Sequence, residues 1–163
     1  MNLMKSITLT VIGLLFGIQL FFTWNIFTPI SIQNDTKIIE SLNYVGVHGK
    51  HATEIAKGIK IASEQHNLTP EFIIALIFTE STFNKYAKSS KDYEGYMQIP
   101  FALYEPTENI MIGSRIMREK LTITKGNVLK AICLYKGWGH NPPEEGIRQA
   151  EKVLKLYDKL MNV

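Results

Sequence analysis

Glu80 closes an apolar run: in "IALIFTES", residues 74–81, four of the first five side chains are large and apolar before the chain reaches a carboxylate. A carboxyl group in apolar surroundings loses water and its charged form is disfavoured. Its pKa then rises toward the range in which an acid can hand over a proton near neutral pH. The chemistry this offers is general acid catalysis. The ordinary alternative is a solvated charge at a helix end, and the residues upstream decide against it. Thr69 reads as an N-cap, Pro70 as the first helical residue and Glu71 as a first-turn acid suited to the helix dipole. At helical spacing Ile73, Leu76, Ile77 and Glu80 share one side, so the carboxylate belongs to a core-facing stripe. It is the acid in the most apolar helical context of the chain, whereas Asp92, Glu94, Glu105 and Glu108 fall in polar or turn-rich stretches and read as solvated.

Other reactive residue types lead nowhere comparable. Cys133 is the only cysteine, set in the apolar "KAICLYKG", so it reads as a small buried hydrophobe. His48 and His51 in "HGKH" lack acidic or cysteine companions at metal-ligand spacing. "GWGHNPP" is turn-rich and has no phosphate-binding pattern, and no cofactor is implied.

The elements that must position Glu80 read as helices. With 163 residues, 45% of them hydrophobic, the chain has room for one medium domain and a short appendage. A net charge of +3 without a basic cluster gives nucleic-acid binding little support. "HATEIAKGIKIASEQHN", the helix bearing Glu80, "TENIMIGSRIMREKL", "GNVLKAICLYKG" and "PEEGIRQAEKVLKLYDKL" carry apolar residues at three- and four-residue steps, with the polar "NKYAKSSKDYEGY" between the second and third. The expected fold is mainly α, with the domain at residues 51–163.

Ahead of it, Ser6 to Phe27 contains no charged residue and is long enough to span a bilayer as a helix. Lys5 before it and Asp35, Lys37 and Glu40 after it place residues 1–5 in the cytoplasm and the remainder outside. A cleaved signal peptide is the competing reading, disfavoured by the length of the run and the lack of a small-x-small site. Residues 28–50 mix turn formers with scattered apolar residues and read as a linker.

Beyond Glu80 the string "ESTFNKYAKSSKDYEGYMQIP" resembles the lytic transglycosylase family of the soluble lytic transglycosylase (SLT) type, which has a lysozyme-like α fold and cleaves bacterial peptidoglycan. The resemblance rests on Glu80, Ser81, Phe83, Asn84, Ala87, Ser89, Gly95, Met97, Gln98, Ile99 and Pro100, in register without a gap up to Ile99. Asn109, Ile110 and Gly113 resemble the family's Asn-Ile-x-x-Gly helix, and Tyr135 with a following glycine its Ala-Tyr-Asn-x-Gly block. The match spans roughly residues 55 to 160 and leaves out the amino-terminal segment. Several positions depart from the family. Lys85 stands for a usual proline, Asp92 and Tyr93 for Gly-Ala, Tyr96 for leucine and Lys136 for asparagine, and one residue is missing between Gln98 and Pro100.

The resemblance implies that Glu80 is the one catalytic acid, acting between N-acetylmuramic acid and N-acetylglucosamine to leave a 1,6-anhydro sugar. It implies that Met97 and Gln98 line the substrate groove, that Tyr135 reaches toward the glutamate, and that Ser81 bonds near the acid or the substrate acetamido group. Core packing for Met97 and Tyr135, and self-capping for Ser81, are the competing readings. Tyr93, Tyr96 and Trp138 are candidates for stacking on sugar. Phe83 and Gly95 read as structural. The expected partners are peptidoglycan glycan strands, the membrane through the amino-terminal helix, and a phage particle or an envelope-spanning secretion or conjugation machine, with the domain in the periplasm or cell envelope. Two alternatives stay open: a hydrolytic muramidase, for which Asp92 or Glu94 would hold the water, and a non-catalytic glycan-binding subunit.

Overall fold

The computed structural model describes residues 35–100 and 105–163. Among these, six helices carry the fold: α1 (Asp35–Tyr44), α2 (Gly49–His66), α3 (Pro70–Ser81), α4 (Pro106–Ile123), α5 (Val128–Tyr135) and α6 (Glu144–Leu160). The mainly α expectation holds for them.

Helix α3 is the axis of the domain. Thr69 Oγ1 accepts the Phe72 N–H at 3.3 Å and Pro70 occupies the first turn, as the local sequence anticipates. From Pro70 to Ile77 every residue is buried, so the helix is enclosed on all sides rather than along one stripe. Helices α1, α2 and α6 supply that enclosure. On α6 the buried face is Ala150, Val153, Tyr157 and Leu160, and the Tyr157 ring meets Phe72 edge-on at 5.7 Å. Only at Phe78 does α3 begin to reach the surface, which leaves Glu80 half-buried at its last turn.

Helix α4 lies along α2 and against α5, and α5 in turn packs on α6. Glu105 caps α4 through its carboxylate, which accepts the Glu108 N–H at 2.9 Å, and Asn127 caps α5 by accepting the Lys130 N–H at 3.0 Å. Arg118 of α4 closes the far end of α2: its Nε donates to the His66 carbonyl at 2.6 Å and its guanidinium also bonds the Asn67 carbonyl.

The reading of residues 28–50 as a linker is corrected from Asp35 onward. Ile38 and Leu42, one helical turn apart, are buried and hold α1 against α2 and α3. Two ion pairs fix it further, Lys37 with Glu71 at 3.6 Å and Asp35 with Lys60 at 2.7 Å. The domain therefore includes α1, and α2 starts at Gly49 instead of His51. The proposed span at residues 6–27 lies outside the described residues. Among the described residues no helix is long and apolar enough to cross a membrane.

Candidate active site

Two helix ends converge on Glu80. Because α6 packs against both α3 and α5, the last turn of α3 and the end of α5 come together, and Lys136, the residue that follows α5, reaches Glu80 across the gap. Its Nζ donates to Glu80 Oε1 at 2.7 Å, with 8% of the lysine side chain and 12% of the glutamate side chain exposed. Burial pushes the Glu80 carboxyl above its ordinary range, and the Lys136 charge and hydrogen bond pull it back without cancelling the rise. The partial negative charge of a helix carboxyl end acts in the same sense as burial, since it also disfavours a carboxylate.

Glu80 is not the most buried acid. Glu71 has a side chain only 2% exposed, at the amino end of the same helix, where the dipole favours its charge and Lys37 meets it. What distinguishes Glu80 is its place at the rim, reachable from solvent while still poorly hydrated.

The segment 82–100 forms the wall beside it. The segment has no regular strand, only the isolated bridges Lys88–Glu94 and Glu94–Ile99. Thr82, Phe83, Asp92 and Gln98 all have positive φ, between 47° and 60°, an unusual concentration of left-handed non-glycine residues in one segment. Asp92 stands where the family has glycine and keeps the conformation that glycine adopts freely, φ 58°.

Several residues expected to touch substrate build this wall. Ser81 Oγ donates to the Tyr96 carbonyl at 2.8 Å, tying the end of α3 to the segment, and lies 3.3 Å from its own helix's Ile77 carbonyl. The Gln98 amide donates to the Ala87 and Gly95 carbonyls at 3.0 and 3.1 Å, so its nitrogen is engaged inside the loop. The Met97 side chain is fully buried against Gly113 and Ser114, the core packing that was its competing reading. Tyr96 is also fully buried, and its hydroxyl has no hydrogen-bond partner among the described residues. Met97 enters the core against α4, and the Tyr96 ring lies 6.2 Å from that of His51 on α2.

Tyr135 does come to the site, by way of the wall. Its hydroxyl donates to the Met97 carbonyl at 2.6 Å, and burial together with the nearby Glu80 charge holds it neutral, with its pKa well above the usual value. The family's Asn-Ile-x-x-Gly residues have the same purpose. Asn109 Oδ1 accepts the Met97 N–H at 2.9 Å, and Gly113 leaves the space that the Met97 side chain fills.

Among the aromatic candidates, Trp138 packs its ring on Gly146 of α6, and Tyr93 is partly exposed. Asp92 and Glu94 both bind Lys88 at 3.1 Å; Asp92 is solvated as expected, whereas only 14% of the Glu94 side chain is exposed. Cys133 is buried, its thiol pushed up by desolvation. His48 bonds Asn43 at 3.0 Å. The residue that sequence reasoning missed is Lys136. Its only signal was a departure from asparagine in the Tyr135 block.

Residues 57–155 match the family described as Transglycosylase SLT domain. A protein of Enterobacteria phage PRD1 described as a transglycosylase is 34% identical over 109 residues, which is 60% of this chain and 40% of that protein. The lytic transglycosylase Slt of Pseudomonas aeruginosa, solved as an inactive mutant, superposes on 69% of this chain with a TM-score of 0.54 and 18% identity, a likeness of fold. The chain spans 40% of the length of the phage relative and 24% of the Slt chain.

Proposed function

The chain belongs to the transglycosylase SLT domain family, and on that premise we propose that it is a lytic transglycosylase of peptidoglycan with Glu80 as its one catalytic acid. The observation that carries this reading is a poorly hydrated carboxylate at an accessible helix end, its pKa raised by burial, with Lys136 as its one ion-pair partner among the described residues. Such a group can hold a proton and deliver it to a leaving oxygen.

Glu80 protonates the oxygen that joins N-acetylmuramic acid to N-acetylglucosamine, and the bond from that oxygen to the anomeric carbon breaks. The substrate's acetamido group stabilises the oxocarbenium-like centre. Glu80, now a carboxylate, accepts the proton of the muramic carbon-6 hydroxyl as that oxygen closes on the anomeric carbon. The acid regains its proton, the product is a 1,6-anhydro sugar, and no water is consumed.

Hydrolysis would require a second carboxylate to hold water. Asp92 and Glu94, the residues considered for it, are both engaged by Lys88, which favours the single-acid route. Likeness to a phage transglycosylase supports local wall opening or host lysis by a phage over service in a secretion machine. The charge-free stretch from Ser6 to Phe27 would hold the domain at the membrane on the envelope side.

Mass spectrometry of purified peptidoglycan digested by the full chain tests the reading. Anhydro-muropeptides are expected from the wild type and none from Glu80→Gln. Reducing ends would make the protein a muramidase, and wall binding without any product would make it a glycan-binding subunit.

A further inference from the structure

We propose that Lys136 is a positioning residue for the acid: by binding Oε1 of Glu80 it leaves Oε2 to carry the proton, and by its charge it confines activity to a more acidic range than the family's asparagine would. The inference rests on Glu80 being the acid.

Three observations carry it. The contact is short, 2.7 Å, and both side chains are nearly closed off from solvent, so the pair is weakly screened and holds one geometry. Lys136 follows the last turn of α5 and meets the last turn of α3, two sites where helix dipoles favour a cation. Its Nζ bonds one carboxyl oxygen, which breaks the equivalence of the two: the proton must sit on the oxygen that does not face the ammonium.

Other ionisable groups on the surrounding elements do not share this role. Tyr135 on α5 points its hydroxyl to the Met97 carbonyl. In segment 82–100, Lys88 is held by Asp92 and Glu94, and Lys91 Nζ lies 3.4 Å from where a Cβ on Gly137 would stand. Lys152, Lys155 and Lys159 of α6 line a groove with Phe78 and Thr79, and neither Glu80 nor Lys136 is part of its lining. Among all of these Lys136 alone is ion-paired to Glu80.

The ammonium acts in opposite directions on the two proton transfers. It stabilises the carboxylate formed when Glu80 gives its proton to the glycosidic oxygen, and it weakens that carboxylate as a base toward the carbon-6 hydroxyl. In the free enzyme the pair lowers the pH below which Glu80 is protonated, and that pH bounds activity on the basic side.

The test compares wild type, Lys136→Met, Lys136→Asn and Lys136→Arg by two readouts. The first is the pH dependence of kcat/KM on purified peptidoglycan. Its basic limb should move up by about one pH unit or more in the Met and Asn variants, the range expected on losing an adjacent opposite charge, and return toward wild type in Arg. The second is the titration of the Glu80 side-chain carboxyl carbon by NMR, assigned by its absence in Glu80→Gln. Its midpoint should rise by a similar amount in Met, with no substrate present. If Met and Asn do not fold, the Arg variant and the wild-type titration remain: a wild-type midpoint unaltered by Arg supports the pair, and a wild-type carboxyl titrating like a buried acid with no cation beside it overturns it. Unmoved limb and midpoint in Met would overturn the proposal, and so would a raised KM alone, which would make Lys136 a substrate contact. Failure of the wider reading looks different, because then either Glu80→Gln would keep cleaving or the wild type would release no product, whatever the titration reports.

Discussion

The amide of Asn109 occupies the place where a side chain on Gly95 would begin. A Cβ built at Gly95 would lie 2.2 Å from Asn109 Nδ2, and the glycine has a φ of 82°. One contact thus joins the wall of the site to α4, with Asn109 accepting from the Met97 N–H and donating to the Glu94 carbonyl. Gly95→Ala combines a left-handed alanine with a steric clash and should lower stability by about 2–4 kcal/mol. Urea denaturation measures it, and a loss below that range would mean that the wall is free to move away.

Asn109→Ala should destabilise by about 1–3 kcal/mol, because the Met97 N–H is left buried without its acceptor. Activity should fall further than stability alone explains, since Tyr135 and Ser81 bond the same stretch through the Met97 and Tyr96 carbonyls. The comparison is peptidoglycan turnover well below the melting temperature. Wild-type turnover in a folded variant would separate the wall from catalysis.

Much of this framework is legible along the chain. Thr69 and Pro70 announce α3, the three- and four-residue steps from Ile147 to Leu160 announce α6, and Glu80 stands out from its apolar neighbours. What stays hidden depends on contacts distant in sequence. Lys136 lies 56 residues from Glu80, and no local pattern links them. Helix α1 rests on two buried aliphatic residues, Ile38 and Leu42, amid turn formers, too weak a period to read without the surfaces that cover them. Tyr96 and Met97 sit in a polar stretch, yet both side chains are buried: Met97 fills the space that Gly113 leaves on α4, and the Tyr96 ring lies 6.2 Å from that of His51 on α2.

That burial makes Tyr96→Phe a discriminating change. The hydroxyl is fully enclosed, without a partner among the described residues, and desolvation pushes its pKa up to about 12. Removing an unbonded buried hydroxyl should leave stability unchanged or raise it by about 1 kcal/mol. Turnover should match wild type. A large rise in KM would restore Tyr96 as a sugar contact.

Gly113→Ala should be worse tolerated than a change of one methyl implies. The new Cβ would stand 2.5 Å from Met97 Cβ and 2.6 Å from its sulfur, so the backbone of the wall must shift and not only a flexible side-chain end. A loss of about 1–3 kcal/mol is expected. Pairing it with Met97→Ala should recover part of that loss in thermal denaturation, whereas additive losses would show that the two residues do not share this space.

The buried pair of Glu80 and Lys136 also ties stability to pH. Burial raises the folded-state pKa of Glu80 above its unfolded value, so the stability linked to its protonation is full below the unfolded value and is lost as pH rises through the folded one. Lys136 limits that loss by compensating the carboxylate. In Lys136→Met the compensation is gone, the folded pKa rises further, and Glu80 is left as an unpaired buried charge once it ionises. The variant should therefore lie close to wild type near pH 4 and fall behind toward neutral pH and above by about 1.4 kcal/mol for each unit that the folded-state pKa of Glu80 rises. Replacing both residues by methionine removes both charges and should be neutral or stabilising at pH 7. Urea unfolding of the three proteins from pH 4 to pH 8 reads all of this at once. A Lys136→Met deficit that is constant across the range would show that the lysine contributes packing rather than charge.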